Sequence, residues 1–477
     1  MEAQSRSVKR AQVEFHNFAS LGEPERAMRV YAEENVRRGA LIRKHANFIG
    51  SMSPFLEIGA NAGHTSYMLS NEFGACGFAL DISADSLRHG IALQAKWDMK
   101  LAPVRVAGDA VNLPFRDGSL RMVAAFQMLS QFMSIESVFL EVKRVLAPGG
   151  IFLFGEEPLK RMLSLRLYRC PYYETMKPWE RKLSDWGLLG YLVRDVIGAH
   201  QEESFGIRQN HTMGLKEWHS LISSHFVAKE YEIFVPERGW GEQVAKRAAV
   251  RLDPHRSVWR AAHLLGGTLA AVCRKEGEPP RASARIDRFE EFLRCPDCHA
   301  GLSRDSLNTL VCGSCGYSAP EEGGVYNLLR TAERKELYPG DREDVIDFSQ
   351  ASHERHLLDG WYDIEGAYGN KYRWIGRSAS VWLKRVNSGP QQIRIRGHAH
   401  DLSLSTGEPL RIDVSANGKR VGQFTLDRPG LFVIEADLPD APEYRLKIDA
   451  SATWKVPTDD RTFSVNLSMI RLVPREI

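Results

Sequence analysis

The sequence predicts an α/β doubly wound domain, a small metal-binding segment and an all-β C-terminal part. Three observations carry this reading. Between residues 55 and 154 short apolar runs alternate with helical patterns, as in a parallel sheet covered on both faces. Between residues 295 and 315 four cysteines stand as two C-x-x-C pairs. Beyond residue 349 short runs of alternating polarity are separated by Gly, Pro, Asn and Asp.

At 477 residues, with 43% hydrophobic and 26% charged residues, the composition is that of a globular protein of about two to four domains. A net charge of +3 argues against a protein dominated by nucleic-acid electrostatics and leaves room for a local basic patch. The first residues, MEAQSRSVKR, lack an apolar core of the secretory type. The longest apolar run, 261–273, is broken by His263 and a Gly-Gly pair and is too short to span a bilayer. Cys76, Cys170 and Cys273 are scattered, so no disulfide framework is expected. The expectation is a cytoplasmic protein without an integral membrane segment.

Residues 8–50 show helical spacing, with Phe15, Phe18, Met28, Tyr31, Leu41 and Ile42 as buried candidates and Pro24 opening a second helix. This N-terminal helical cap (1–52) either lids a cofactor pocket or covers a sheet. Strand 55–58 then enters the turn Gly59-Ala60-Asn61-Ala62-Gly63, and a helix follows. Such a turn lets backbone N–H groups approach a ligand, with a helix N-terminus behind them, and suits a nucleotide-like cofactor. It is neither a Walker A loop nor a G-x-G-x-x-G fingerprint, because Asn61 holds the middle position. Further strands are expected at 77–81, 104–109, 122–127 and 151–154, with helices at 84–93 and 135–146. Ligands of such sheets sit beyond the carboxyl ends of the strands. There Glu57, Asp81 and Asp109 appear in order. A carboxylate at the second strand end suits ribose hydroxyls, and an acceptor at the third suits an adenine amine. Each aspartate taken alone reads equally as a helix cap or turn residue.

Four motifs in sequence carry a family resemblance: Glu57-x-Gly-x-x-x-Gly63, Leu80-Asp81-Ile82-Ser83, Gly108-Asp109-Ala110-x-x-Leu113-Pro114-Phe115, and Glu141-Val-x-Arg144-Val-Leu-x-Pro148-Gly-Gly150. Through them residues 53–155 resemble the class I S-adenosylmethionine-dependent methyltransferases, which have a Rossmann-like fold. The resemblance implies that Glu57 and the turn residues Gly59, Ala60, Asn61 and Gly63 face the methionine part of S-adenosyl-L-methionine. It implies that Asp81 binds the ribose, that Ile82 flanks the adenine, and that Asp109 with Ala110 holds the adenine edge. Gln127 falls where the family's fourth motif faces the transferred methyl. Two departures stand out: Asn61 replaces a glycine, and Leu120-Arg121 replaces the usual Phe-Asp.

The methyltransferase domain is expected to run over 53–275, with a helix at 187–200, another at 215–223 and a last strand at 269–273 closing the sheet. The insertion before that strand commonly covers the acceptor in these enzymes. Transfer to oxygen or nitrogen needs an in-line acceptor and often a base of near-neutral pKa. His211 is the candidate base, with Glu156, Glu157 and His16 behind it; His211 reads equally as a loop or capping residue.

After a linker (276–288) the segment 289–330 holds Cys295-Pro-Asp-Cys298 and, thirteen residues on, Cys312-Gly-Ser-Cys315. Each pair can present two thiolates to one tetrahedral ion, which points to a structural zinc ribbon. Four thiolates close the coordination sphere, so this zinc is not catalytic. A redox pair would leave the doubled motif without purpose. With its tail Gly324-Val-Tyr-Asn-Leu-Leu329 the segment resembles the small zinc-ribbon family of a methyltransferase activator subunit. That implies either holding or activating a methyltransferase, or helping to dock RNA or protein. Residues 331–348 read as a charged helical connector.

Residues 349–477 read as a β-sandwich or jelly roll, with strands within 393–397, 410–415, 420–426, 431–436, 444–449 and 463–472 and a hairpin turn at Asn417-Gly418. Trp361, Trp374 and Trp454, near Glu365, Asp459 and Arg461, form either a sugar-binding face or core. The part resembles accessory sandwich segments of bacterial enzymes that build surface polysaccharides. The expected function is methyl transfer from S-adenosylmethionine to a hydroxyl or amine of a sugar, glycolipid or polysaccharide precursor. A protein partner is expected through the ribbon or the sandwich. Two alternatives stand beside it: an RNA methyltransferase docking through the ribbon, and a non-catalytic cofactor-binding scaffold. Near-neutral charge and the lack of an Asn-Pro-Pro-Tyr motif speak against the first.

Overall fold

The computed structural model describes residues 9, 13, 24–132, 134–159, 165–167, 177–186, 189–191, 213–234, 267–279, 286–338, 340, 342–348, 351–367, 370–404, 408–427 and 429–475. They fall into two compact units. One comprises residues 25–194 and 207–331; the other comprises 1–24, 195–206 and 332–477. No described helix is long and apolar enough to cross a membrane.

The first unit begins with α1 (Pro24–Lys44) and α2 (Ala46–Ile49). Then β1 (Phe55–Ile58), α3 (His64–Glu72), β2 (Gly77–Asp81), α4 (Ala84–Lys96) and β3 (Val104–Ala107) alternate. β4 (Leu120–Phe126), α5 (Ile135–Val145) and β5 (Leu146–Leu159) follow. Helices α4 and α5 start where Ser83 and Ser134 accept a hydrogen bond from Ser86 N and Ser137 N, ordinary serine N-caps. β1 is buried at every position, as a strand flanked by neighbours and covered on both faces must be. The pairs β1–β2, β2–β3, β1–β4 and β4–β5 are all parallel. The strand order therefore reverses between β1 and β4, which is the switch point at which such Rossmann-like sheets bind ligands.

Beyond β5 the described pieces are β6 (Leu165–Leu167), α6 (Pro178–Asp185), β7 (Leu189–Tyr191), α7 (Leu215–His225), β8 (Ala228–Phe234) and β9 (Gly267–Arg274). Two expectations are corrected here. β9 does not close the sheet: it lies antiparallel between β5 and β8, and β8 forms that edge. Of the expected helix 187–200, only 189–191 belong to the described residues, and they form strand β7 paired with β6. Gly190 disfavours helix there and Tyr191 suits a pleated strand.

The opposite edge is built by the cysteine-containing segment. β10 (Ser303–Arg304), β11 (Leu310–Val311) and β12 (Ser318–Ala319) make a small antiparallel sheet. β13 (Glu321–Glu322) and β14 (Val325–Asn327) then extend the main sheet, with β14 parallel to β3. Phe78, Leu80, Val106 and Phe115 share one hydrophobic cluster with Leu293, Leu310, Tyr317 and Leu328.

The second unit takes up the chain from α8 (Thr331–Leu337) and β15 (Val345–Asp347). It continues through β16 (Trp361–Ala367), β17 (Asn370–Ile375), β18 (Ser378–Lys384), β19 (Gln391–Ala399) and β20 (Leu410–Ala416). β21 (Lys419–Leu426), β22 (Gly430–Asp437), β23 (Glu443–Ala450) and β24 (Val465–Pro474) complete it. The reading of 331–348 as helix throughout is corrected: Val345 and Ile346 are buried in a strand that pairs with β24. One sheet runs β16-β17-β24-β19-β22 and the other β18-β23-β20-β21. Ile395, Phe432 and Leu467 of the first share a hydrophobic cluster with Val381, Val414 and Leu446 of the second. Asn417 (φ 51°) and Gly418 (φ 81°) turn the β20–β21 hairpin in the left-handed region, as a two-residue Asn-Gly hairpin loop requires.

The aromatic residues of this unit are occupied internally. Trp374 is buried and its Nε1 donates to Glu365. Trp454 packs between His400 and Phe463, and its Nε1 donates to the Ser464 carbonyl. Trp361 donates to the Ser380 carbonyl and packs on Phe348. With their N–H groups satisfied, Trp374 buried and Trp361 and Trp454 half-buried, these rings favour a packing role over an open sugar platform.

Candidate cofactor cleft and four-cysteine site

Three residues of the turn after β1 are left-handed: Gly59 (φ 67°), Asn61 (φ 51°) and Gly63 (φ 75°). At Gly59 a Cβ would stand 2.9 Å from the Met128 side chain, so this position requires glycine for space as well as for backbone angle. Asn61 holds its place because asparagine tolerates this region best among non-glycine residues. Asp81, at the end of β2 and almost fully buried, accepts hydrogen bonds from Asn61 N and Ser83 N, both at 2.8 Å. The β2 carboxylate and the β1 turn are thus one construction, and each carboxylate oxygen keeps further acceptor capacity. Ile82 beside it is half-buried. After β3, Asp109 accepts from Val111 N at 3.1 Å and its carbonyl accepts from Asn112 N at 3.1 Å, which folds 109–112 into a tight loop with Ala110 buried.

Glu57 lies in β1 just ahead of the turn. Its carboxyl is buried and accepts from Ser66 Oγ at 2.5 Å. Burial pushes its pKa up to about 7, against the lowering effects of Ser66 and Arg38. Glu57 therefore ties β1 to α3.

Gln127 (φ 54°), just after β4, and Glu156 (φ 62°), within β5, are both left-handed, and Gln127 N donates to the Gly155 carbonyl at 2.9 Å. The β5–β9 register slips between Phe154 and Glu157. Glu157 is fully buried and accepts from the backbone N–H groups of Met128, Leu129 and Ser130 at 2.9, 2.8 and 2.9 Å. This removes it from the candidate bases: it anchors the loop that carries Gln127. Glu156 meets Arg38 at 2.7 Å instead. His211 and His16 lie outside the described residues.

Sequence reasoning offered the N-terminal helices as a lid or a sheet cover, but missed the individual contacts that α1 makes with this turn. Tyr31 stacks on His64 with ring centroids 4.2 Å apart, and its hydroxyl donates to Asn61 Oδ1 at 3.3 Å. Asn35 donates to the His64 carbonyl at 3.0 Å, and Glu34 meets His64 Nε2 at 2.8 Å. Arg38, buried, donates to Thr65 Oγ1 at 2.8 Å and lies over the Phe126 ring. Burial lowers the His64 pKa, opposed by Glu34. The available signal was the spacing of positions 31, 34, 35 and 38, which share one helix face. Asn35 Oδ1 and His64 Nδ1 on this wall are buried without a hydrogen-bond partner among the described residues.

The ligand atoms of Cys295, Cys298, Cys312 and Cys315 all lie within 4.8 Å of one another. The closest sulfur pairs are Cys295–Cys315 at 3.6 Å and Cys298–Cys312 at 3.5 Å. The two knuckles repeat one geometry. In each, the residue after the second cysteine is left-handed (His299, φ 65°; Gly316, φ 74°) and donates its N–H to the first cysteine's carbonyl. Four converging thiol groups fit one tetrahedral thiophilic ion.

Residues 56–154 match a family described as the methyltransferase domain. That match supports an S-adenosylmethionine-dependent methyltransferase domain over these residues. The chain is similar to a malonyl-[acyl-carrier protein] O-methyltransferase of Geobacter sulfurreducens, 30% identical over 22% of this chain and 40% of that protein. It is also similar to a probable S-adenosylmethionine-dependent methyltransferase of Mycolicibacterium smegmatis, 27% identical over 37% of this chain and 68% of the relative. The chain thus spans well under two thirds of the Geobacter relative's length. A solved structure of Haemonchus contortus phosphoethanolamine N-methyltransferase 2 with S-adenosyl-L-methionine is 16% identical, with a TM-score of 0.35 over 56% of this chain and 60% of that one.

Proposed function

We propose that the chain transfers the methyl group of S-adenosylmethionine to a hydroxyl or amine of a small-molecule acceptor, with a sugar, glycolipid or polysaccharide precursor as the class to test first. The observation that carries the transferase reading is the joined construction of the cleft: a left-handed turn after β1 whose Asn61 N–H is held by Asp81. The residues present fit the cofactor. N–H groups of a glycine turn and a helix start suit a carboxylate, and the unfilled acceptor capacity of Asp81 suits ribose hydroxyls. Asp109 and Ala110 would hold the adenine edge, Ile82 would flank it, and Gln127 would face the reacting methyl. When bound, the cofactor supplies an electrophilic methyl on a sulfonium.

The chain's own contribution is positioning. Glu157 fixes the backbone after β4, so Gln127 meets the acceptor side in one conformation. The Arg38–Glu156 pair joins α1 to β5. His211 is the proposed base. The four cysteines are proposed to hold a structural zinc, and the C-terminal unit to act as an accessory β-sandwich that meets a partner or acceptor. The test is incubation of the purified chain with methyl-labelled S-adenosylmethionine and a panel of nucleotide sugars, glycolipids, amines and RNA. Label in a glycan or amine fraction, lost in Asp81→Ala, supports the reading; label only in RNA, or none in any fraction, overturns it.

A further inference from the structure

Two independent sets of contacts join the cysteine knuckles to the adenine end of the cleft. From the first knuckle, the Pro296 carbonyl accepts from Asn112 Nδ2 at 3.2 Å, and Asn112 in turn closes the loop on Asp109. The flanking chain continues the grip: Arg294 N donates to the Pro114 carbonyl at 3.1 Å, and Arg116 N to the Phe292 carbonyl at 2.9 Å. From the second knuckle, Cys312 N donates to the Tyr317 carbonyl at 2.9 Å. The Tyr317 hydroxyl then donates to the Leu329 carbonyl at 2.8 Å, with the Asn327 carbonyl as the other acceptor in reach at 3.0 Å. That stretch pairs with β3, Asn327 opposite Ala107, and Leu328 N donates to the Ala107 carbonyl at 2.7 Å.

The loop holding Asp109 and Ala110 is therefore gripped from both sides by chain that has little structure of its own. Strands β10 to β13 are two residues each, too short to keep the knuckles in register by their own hydrogen bonds. An ion on the four sulfurs would supply the missing cross-link, because metal binding to such a segment is folding free energy.

We propose that the metal site positions the cofactor-binding loop: the ion fixes the two knuckles, the knuckles fix residues 107–116, and Asn112 is the positioning residue through which the first knuckle reaches Asp109. This rests on the reading of the cleft as the S-adenosylmethionine site. It gives the cysteines a role inside the catalytic unit, where an ion serving only an external RNA or protein partner would leave cofactor affinity untouched.

The experiment is calorimetric titration of S-adenosylmethionine into the full chain in three forms: zinc-loaded, zinc-stripped by chelator, and zinc-loaded Asn112→Ala. Amide hydrogen exchange over 108–113 is followed in each. Stripping is expected to weaken binding at least about tenfold and to speed exchange in that loop. Asn112→Ala is expected to weaken binding about threefold to tenfold, at wild-type zinc content and Tm, as the loss of one net hydrogen bond implies. Wild-type affinity and wild-type loop exchange in Asn112→Ala overturn the proposal, even if stripping unfolds the chain. If the zinc-loaded wild type binds no S-adenosylmethionine, the cofactor reading fails instead, and loop exchange still decides whether the ion and Asn112 hold this loop.

Discussion

Replacing Glu157 tests how the cleft is held. Its carboxylate accepts three backbone N–H groups, those of Met128, Leu129 and Ser130, in a fully buried position. Leaving each donor unmet costs roughly 1–3 kcal/mol, a gross loss of about 3–9 kcal/mol for Glu157→Ala. Two effects offset it: burial already disfavours the carboxylate, raising its pKa, and water can enter the vacated space. We place the net local cost at about 3 kcal/mol. Glu157→Gln keeps an oxygen for Met128 N and Leu129 N but sets an amide donor against Ser130 N, for about half that cost. Native-state hydrogen exchange at these three amides reads the effect locally and avoids assuming two-state unfolding of a chain with two units. Protection should fall roughly 150-fold in Glu157→Ala, and about tenfold in Glu157→Gln. Because Gln127 depends on the same loop, turnover should fall more than cofactor affinity. Equal protection in wild type and Glu157→Ala, or a worse result for Gln than for Ala, would refute the anchoring argument.

Other outcomes follow from the same geometry. Gly59→Ala forces an L-residue to φ 67° and places its Cβ 2.9 Å from Met128, so S-adenosylmethionine affinity measured by calorimetry should drop by about tenfold; wild-type affinity would speak against a tight turn. Glu57, with its pKa raised to about 7 from 4.5, contributes most stability below about pH 4.5 and loses it as pH rises through 7, an effect of roughly 3 kcal/mol at most. Thermal melts from pH 5 to 8 should therefore slope downward in wild type and flatten in Glu57→Gln. Parallel slopes would remove Glu57 as the cause.

Much of the sheet was legible because its strands are apolar runs with polar ends. Phe55 to Ile58 announces a strand buried on both faces, and Asp81 and Asp109 mark two strand ends. What escaped prediction depends on partners distant in sequence. β8 alternates charged and apolar residues, as an edge strand does, and nothing local shows that it lies beside β9. Adjacent glutamates 156 and 157 look alike in sequence; a register slip in β5 sends one to Arg38 and the other to three backbone donors. Helical spacing identified α1 and Tyr31 as buried but could not say that Tyr31, Asn35 and Arg38 close on the turn after β1 and the start of α3. The cysteine spacing pointed to an ion, yet the parallel pairing of β14 with β3 has no local signal.

The most direct test is calorimetric titration of S-adenosylmethionine into the full chain beside its Asp81→Ala variant. Saturable binding at one site per chain, with affinity lowered at least about tenfold in the variant, is the predicted result, since Asp81 would lose both the ribose and the Asn61 N–H. No binding by the wild type, or equal binding by the two proteins, would contradict the account.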